Sequence, residues 1–148
     1  MVLGLGIVLL FVFYLVSGAT SGFWVCRNGQ WIKSGRPDYP QPITVCGQSV
    51  QLPKTKNTCV AVGGVWEKQG PEPHESCNRK ANDRGNLCRD NGECEGFCQV
   101  ELSQSELSRA RRGQLPLSTK FGRCSVWVVE LGCFAFMKQG KIQTLCVD

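Results

Sequence analysis

The longest hydrophobic stretch of the chain lies at its N-terminus. Residues 2–16 are apolar, and no charged side chain precedes Arg27. Such a stretch is typical of an export signal, and the Ser-Gly-Ala at residues 17–19 supplies the small side chains that a signal peptidase requires. The sequence therefore predicts a signal peptide or membrane anchor over residues 1–19. If it is not cleaved, the uncharged run extends to about residue 25 and is long enough to span the hydrocarbon core of a bilayer.

A β-hairpin is predicted by two short runs of apolar and aromatic residues, 23–27 and 30–33. They flank Asn28-Gly29, a pair that favours a type I′ turn because both central residues of that turn need positive φ.

The hairpin begins a small module over residues 20–50. Three prolines within residues 37–42 exclude a helix or a central strand there. A disulfide between Cys26 and Cys46 would close this module by itself. The polar residues 51–57 are predicted to be a linker.

A cysteine-rich domain is predicted over residues 58–148. It starts with a single helical turn that ends at Gly63-Gly64, and its segment from residue 77 to residue 98 is dense in Asn, Asp, Gly and Cys. That segment offers little to bury, so cross-links must stabilise it.

One helix is predicted with both of its ends. Ser103 and Glu106 form a capping box, and Leu102 and Leu107 are placed for a hydrophobic staple. Gly113 supplies the C-terminal stop.

The C-terminal pattern favours β-structure. Residues 124–131, 133–137 and 142–146 are rich in branched and aromatic side chains, which predicts three antiparallel strands tied through Cys124, Cys133 and Cys146. The fold class expected from the sequence is small, disulfide-rich and mainly β, with one short helix and the N-terminal apolar segment.

Cysteine content indicates an oxidising compartment. Small exported domains use disulfides to compensate for a small core. Structural zinc is the alternative, but the closest cysteines, Cys94 and Cys98, have three residues between them and no second close pair completes a site. No Cys-x-x-Cys pair for redox catalysis is present. The ten residues expected to form disulfides are Cys26, Cys46, Cys59, Cys77, Cys88, Cys94, Cys98, Cys124, Cys133 and Cys146.

Charge is unevenly distributed around a net value of +5. Arg109, Arg111 and Arg112 lie at the C-terminal end of the predicted helix, where cations interact favourably with the helix dipole. A contact with an anionic polymer or phospholipid surface is the functional alternative for these arginines. Nucleic acid is not expected as a partner, because no basic motif with interleaved stacking aromatics occurs.

The sequence offers little for catalysis. The only histidine is His74, in a proline-flanked loop without a nucleophile motif. Glu93 and Glu95 could offer the paired carboxylates that a glycosidase mechanism uses, and solvated loop charges are the simpler interpretation. Calcium could use the oxygens of Asp83, Asn86, Asp90 and Glu93, but their spacing matches no calcium loop. No cofactor and no metal are expected.

Several motifs resemble a group of small uncharacterised exported bacterial proteins that are rich in cysteine. The resemblance covers about residues 58–148, supports export and disulfides, and implies no activity. The residues that carry it are Cys59 with Gly63-Gly64-Val65-Trp66, Cys77, Asp83-Arg84-Gly85 before Cys88, Glu93-Cys94-Glu95-Gly96-Phe97-Cys98, Gly122-Arg123-Cys124-Ser125, Gly132-Cys133 and Leu145-Cys146-Val147-Asp148.

Together these patterns predict a non-catalytic, disulfide-stabilised interaction or structural module outside the cytoplasm, either secreted or membrane-anchored. Expected partners are a membrane, through the uncleaved N-terminal segment, and a protein or polymer of the envelope. Two alternatives are an inhibitor or toxin-like effector that presents a cystine-held loop such as residues 90–95, and a carboxylate-based hydrolase.

Overall fold

The structure, a computed structural model, describes residues 22–114 and 121–147. The predicted signal or anchor, residues 1–19, lies outside this range. No helix within the described residues is long and apolar enough to cross a bilayer. The elements in chain order are β1 (Phe23–Arg27), β2 (Gln30–Ser34), α1 (Lys56–Ala61), β3 (Val65–Lys68), β4 (Glu75–Asn78), β5 (Leu87–Cys88), a 3₁₀ turn (Asn91–Glu93), β6 (Cys98–Gln99), α2 (Gln104–Arg111), β7 (Gly122–Cys124), β8 (Gly132–Lys138) and β9 (Lys141–Val147).

The predicted hairpin is confirmed. Strands β1 and β2 pair antiparallel, with Arg27 opposite Gln30. The two turn residues take the positive φ that the sequence requires, 51° at Asn28 and 76° at Gly29.

The helical turn before the double glycine is also present, but it starts earlier than predicted. Helix α1 begins at Lys56, inside the segment interpreted as a linker, because the Thr55 side chain caps it by accepting a hydrogen bond from Thr58 N at 3.3 Å. After the helix, β3 and β4 form a separate two-stranded antiparallel sheet that the sequence did not predict.

The main sheet has five strands in the order β5-β7-β6-β8-β9, and all its pairings are antiparallel. Its core is small and consists largely of cystine sulfur. The buried residues in this cluster are Cys88, Cys98, Val100, Cys124 and Met137.

The prediction of a strand over residues 124–131 is wrong for most of that range, since β7 ends at Cys124. After Cys124 the chain leaves the sheet and passes beside residues 78–81, where Lys80 and Trp127 form an isolated antiparallel β-bridge. The Asn78 side chain holds this segment by donating to Val129 O at 2.9 Å and accepting from Val129 N at 3.0 Å. Residues 125–131 therefore have the composition of a strand but form an irregular loop.

Helix α2 matches its prediction. Both hydrogen bonds of the Ser103–Glu106 capping box are present, and Gly113 follows the helix with a φ of 66°.

All ten cysteines are paired. The Cys26–Cys46 disulfide has the predicted partners, whereas Cys124 joins Cys94 instead of the C-terminal hairpin. The five disulfides are Cys26–Cys46, Cys59–Cys77, Cys88–Cys98, Cys94–Cys124 and Cys133–Cys146. Within the described residues, the prediction of a small, disulfide-rich and mainly β fold is confirmed.

Candidate binding groove between the first hairpin and the cystine knuckle

A groove of about 570 Å³ lies between two parts of the chain that are distant in sequence. One wall is formed by residues 44–51, which follow the hairpin. The other is formed by Gly92, Cys94 and Glu95 of the segment between Cys88 and Cys98, together with Arg79. We call the segment from Cys88 to Cys98 the knuckle. A volume of this size is within the usual range for a ligand site.

The first wall has unused hydrogen-bonding capacity. Among the described residues, the main-chain groups of Ser49, Val50 and Gln51 have no main-chain partner. Its apolar side chains also face outward, since Val45 is 63% exposed and Val50 is only half-buried. Unpaired main chain beside apolar side chains is the combination that an added peptide strand can use.

Glu93 connects the hairpin to the knuckle. Its side chain is only 2% exposed. Oε1 accepts hydrogen bonds from Trp24 N at 2.9 Å and from the Tyr39 hydroxyl at 2.8 Å, and Oε2 accepts from Arg89 N at 2.9 Å. The Glu93 main-chain oxygen accepts a further bond from the Thr44 hydroxyl at 3.2 Å. One buried residue therefore binds both sides of the groove together.

Burial determines the electrostatics of this junction. Desolvation raises the pKa of Glu93 above its ordinary value, against the lowering effect of its three donors. The pKa of Tyr39 is also raised, first by burial and then by its hydrogen bond to Glu93, so the hydroxyl stays protonated and donates. Two further side chains pack at this junction. The Phe121 ring packs edge-on against the Tyr39 ring, with the ring centres 5.4 Å apart, and the Arg89 guanidinium lies 4.2 Å from the centre of the Phe121 ring.

Glu95 has a different environment at the floor of the groove. It forms a salt bridge with Arg79 at 2.9 Å and accepts two hydrogen bonds from Asn82. Partial burial alone would raise the pKa of Glu95, but the bonds from Arg79 and Asn82 lower it. Behind it, Asp83 is buried and accepts from Glu95 N at 2.8 Å, and burial raises the pKa of Asp83. The groove therefore keeps an ionised pair at its floor.

Two disulfides are stacked beside the groove. One sulfur of Cys88–Cys98 and both sulfurs of Cys94–Cys124 lie within 4.8 Å of one another. Close cysteine sulfurs can resemble a metal site, but here each sulfur is already bonded to another sulfur. The cluster holds the knuckle against β7.

The carboxylates considered for catalysis do not form one site. Glu93 and Glu95 have separate sets of donors, as described above. Of the calcium candidates, Asp90 accepts from Gly92 N at 2.8 Å and from Gln139 N, and so stabilises the knuckle turn and the β8–β9 turn. Each of these acids is bound to protein donors in the described chain. His74 is exposed in the loop before β4.

The three arginines of the predicted anionic-surface contact lie apart from the groove. Arg109 and Arg111 are in the last turn of α2, Arg112 is its C-cap, and all three are exposed. Arg112 Nε donates to Gln114 Oε1 at 3.0 Å. Their contact with an anionic surface stays a prediction.

No family model, curated protein or solved structure matches this chain. The resemblance to exported bacterial proteins therefore stays a hypothesis.

Sequence reasoning missed the groove and the role of Glu93. The two partners of its Oε1 atom, Trp24 and Tyr39, lie 69 and 54 residues away in the chain. The disulfide pattern around Glu93 was a signal for a rigid turn, but no local pattern indicates which distant segment it binds.

Proposed function

We propose that the chain is an exported, non-catalytic interaction module that binds an extended polypeptide in the groove between residues 44–51 and the knuckle. The observation that carries this proposal is the main chain of Ser49–Gln51, which forms no main-chain hydrogen bond with any described residue and lies along one wall of a groove of about 570 Å³. Five disulfides support export, because they form and persist in oxidising compartments.

The chemistry of the groove suits a peptide. Main-chain hydrogen bonds to Ser49–Gln51 would supply affinity that does not depend on sequence. Apolar side chains of the peptide would pack against Val45 and Val50. The Arg79–Glu95 pair offers one acceptor and one donor group at the floor for polar side chains.

Rigidity of the walls favours binding. The Cys26–Cys46 disulfide holds one wall to the hairpin, and Cys94–Cys124 holds the other to the main sheet. A knuckle that is cross-linked in this way loses little conformational entropy on binding, so more of the contact energy appears as affinity.

The two alternatives receive less support from the geometry. An inhibitor would present the loop at residues 90–95 outward, whereas Glu93 is buried and Asp90 is bound to the main chain of Gln139 in the β8–β9 turn. A carboxylate hydrolase needs two acids that face one substrate, whereas Glu93 and Glu95 are each bound by protein donors.

A random peptide library tests the proposal. The library is panned against the oxidised protein. The affinity of each enriched peptide is then measured for wild type and for two variants that carry the same Val→Asp substitution at different positions. Val45→Asp changes the groove, and Val60→Asp is the matched control on α1, because the two valines are 63% and 59% exposed.

We expect enriched peptides to bind wild type and Val60→Asp equally and Val45→Asp at least about tenfold more weakly, since a charge would face apolar peptide groups. No enrichment, or equal loss on both variants, would contradict the groove as a peptide site.

A further inference from the structure

The first hairpin has two different faces. Side chains alternate along each strand, and directly paired residues share a face. Trp24 and Cys26 lie on the inner face, which residues 39–46 cover. Trp24 Nε1 donates to Tyr39 O at 3.3 Å, and Cys26 is bonded to Cys46. The inner face is therefore part of the fold.

The opposite side of the hairpin, which we call the outer face, carries an apolar patch of Phe23, Val25 and Ile32. Its other residues are Arg27, Gln30 and Ser34. Val25 is directly paired with Ile32, so their side chains lie together. Ile32 is 46% exposed, and Phe23 and Val25 are half-buried. A two-stranded sheet with an apolar face of this kind normally has a partner layer.

The position of the outer face in the chain indicates what that partner is. Strand β1 begins at Phe23, four residues after the predicted anchor over residues 1–19, and no charged residue occurs before Arg27. If the predicted anchor, residues 1–19, is held in a bilayer, the hairpin is the first folded element at the lipid headgroups. Its apolar face would then lie within a few residues of the membrane.

Positive charge surrounds the same place. Gly22 N donates to Arg36 O at 3.2 Å, which brings Arg36 beside the start of β1. Arg27 ends that strand and shares the outer face with Val25. Between residues 22 and 66 the single acid is Asp38. The basic residues of the same range are Arg27, Lys33, Arg36, Lys54 and Lys56.

We propose that the outer face of the hairpin docks on an anionic phospholipid surface, the surface of the membrane that holds the N-terminal segment. Phe23, Val25 and Ile32 would contact the boundary between headgroups and acyl chains, while Arg27 and Arg36 bind lipid phosphates. Apolar side chains flanked by basic ones are the usual composition of a surface that lies on anionic lipid. This inference rests on the anchored form of the proposed function and is independent of the peptide groove.

The test uses the full chain in phosphatidylcholine vesicles with and without phosphatidylglycerol. Flotation measures association with the vesicles. Hydroxyl-radical labelling with peptide mass spectrometry then measures the exposure of Ile32, with Val60 as an internal control of similar exposure. A double variant, Arg27→Gln with Arg36→Gln, is compared with Lys54→Gln and Lys56→Gln, which remove the same charge elsewhere.

We expect labelling of Ile32 relative to Val60 to fall at least about threefold when phosphatidylglycerol is present, and this protection to weaken in about 1 M salt, where the Debye length is about 3 Å. Protection should be lost in the arginine variant and kept in the lysine variant. Vesicle association with equal labelling of Ile32 and Val60 would overturn docking and leave the anchor and the groove standing. If the full chain does not float with the vesicles, both the docking and the anchored form of the proposed function are overturned.

Discussion

Removing the hydroxyl of Tyr39 tests the junction on which the groove depends. Tyr39→Phe keeps the buried ring against Phe121 but deletes the 2.8 Å hydrogen bond to Glu93. Above its raised pKa the Glu93 carboxylate is charged, and a hydrogen bond to a charged group contributes about 1.5–3 kcal/mol to stability. At pH 4, below the raised pKa of Glu93, the group is neutral and the same bond contributes about 0.5–1.5 kcal/mol. The cost of the substitution should therefore increase with pH.

The sign of the wild-type pH dependence follows from the same pKa shift. The folded state holds the Glu93 proton more tightly than the unfolded state, so this group's contribution to stability is lost as pH rises from its ordinary pKa, 4.5, toward the raised value. Tyr39 lowers the pKa of Glu93 by donating to the carboxylate. Tyr39→Phe should therefore raise this pKa further and widen the pH range over which stability is lost.

Urea unfolding of the oxidised protein, followed by tryptophan fluorescence at pH 4 and pH 8, measures these costs. Glu75→Gln is the control, because Glu75 is exposed and also accepts from an aromatic donor, Trp66 Nε1, at 3.0 Å. We expect the control to change the free energy of unfolding by less than about 0.5 kcal/mol at both pH values. An equal cost of Tyr39→Phe at the two pH values would refute a bond to a charged, buried carboxylate.

Three further outcomes are expected. Gly96→Ala should cost about 3 kcal/mol in urea unfolding, because its Cβ would lie 2.3 Å from Ser125 Oγ and 2.6 Å from Trp127 O. Gly113→Ala, in open space at positive φ, should cost about 1 kcal/mol, and equal costs of the two substitutions would contradict the close approach at Gly96. Cys133–Cys146 should be reduced first by a water-soluble phosphine, since it is the disulfide with both residues exposed, and peptide mapping that finds another disulfide opened first would contradict this. Replacing the three arginines at the end of α2 by Gln should cost about 1 kcal/mol or less, and a larger loss would mean that they do more than interact with the helix dipole.

Elements with local signals could be predicted from the sequence. Asn28-Gly29 specifies its turn through the φ values it permits, and Ser103 with Glu106 specifies a helix start through hydrogen bonds three residues apart. The Cys26–Cys46 pairing was accessible because these are the two cysteines of the predicted hairpin module, residues 20–50, which their disulfide closes by itself.

Long-range arrangements could not be predicted in this way. Residues 125–131 have the composition of a strand, but their path is determined by Asn78, about fifty residues earlier, and by the close approach of Gly96 to Trp127. Glu93 resembles a solvated loop charge until the hairpin is folded against it. The groove arises from these packing contacts, so no single segment of sequence contains it.

Residue-resolved amide hydrogen exchange tests the peptide groove most directly. The oxidised protein is measured alone and with a saturating peptide selected by library panning. We expect exchange to slow at Ser49, Val50 and Gln51, whose main-chain groups have no main-chain partner in the part of the chain that the structure describes, and to stay unchanged in α1. Slowing confined to residues outside the groove, with those three amides unaffected, would contradict the proposed peptide site.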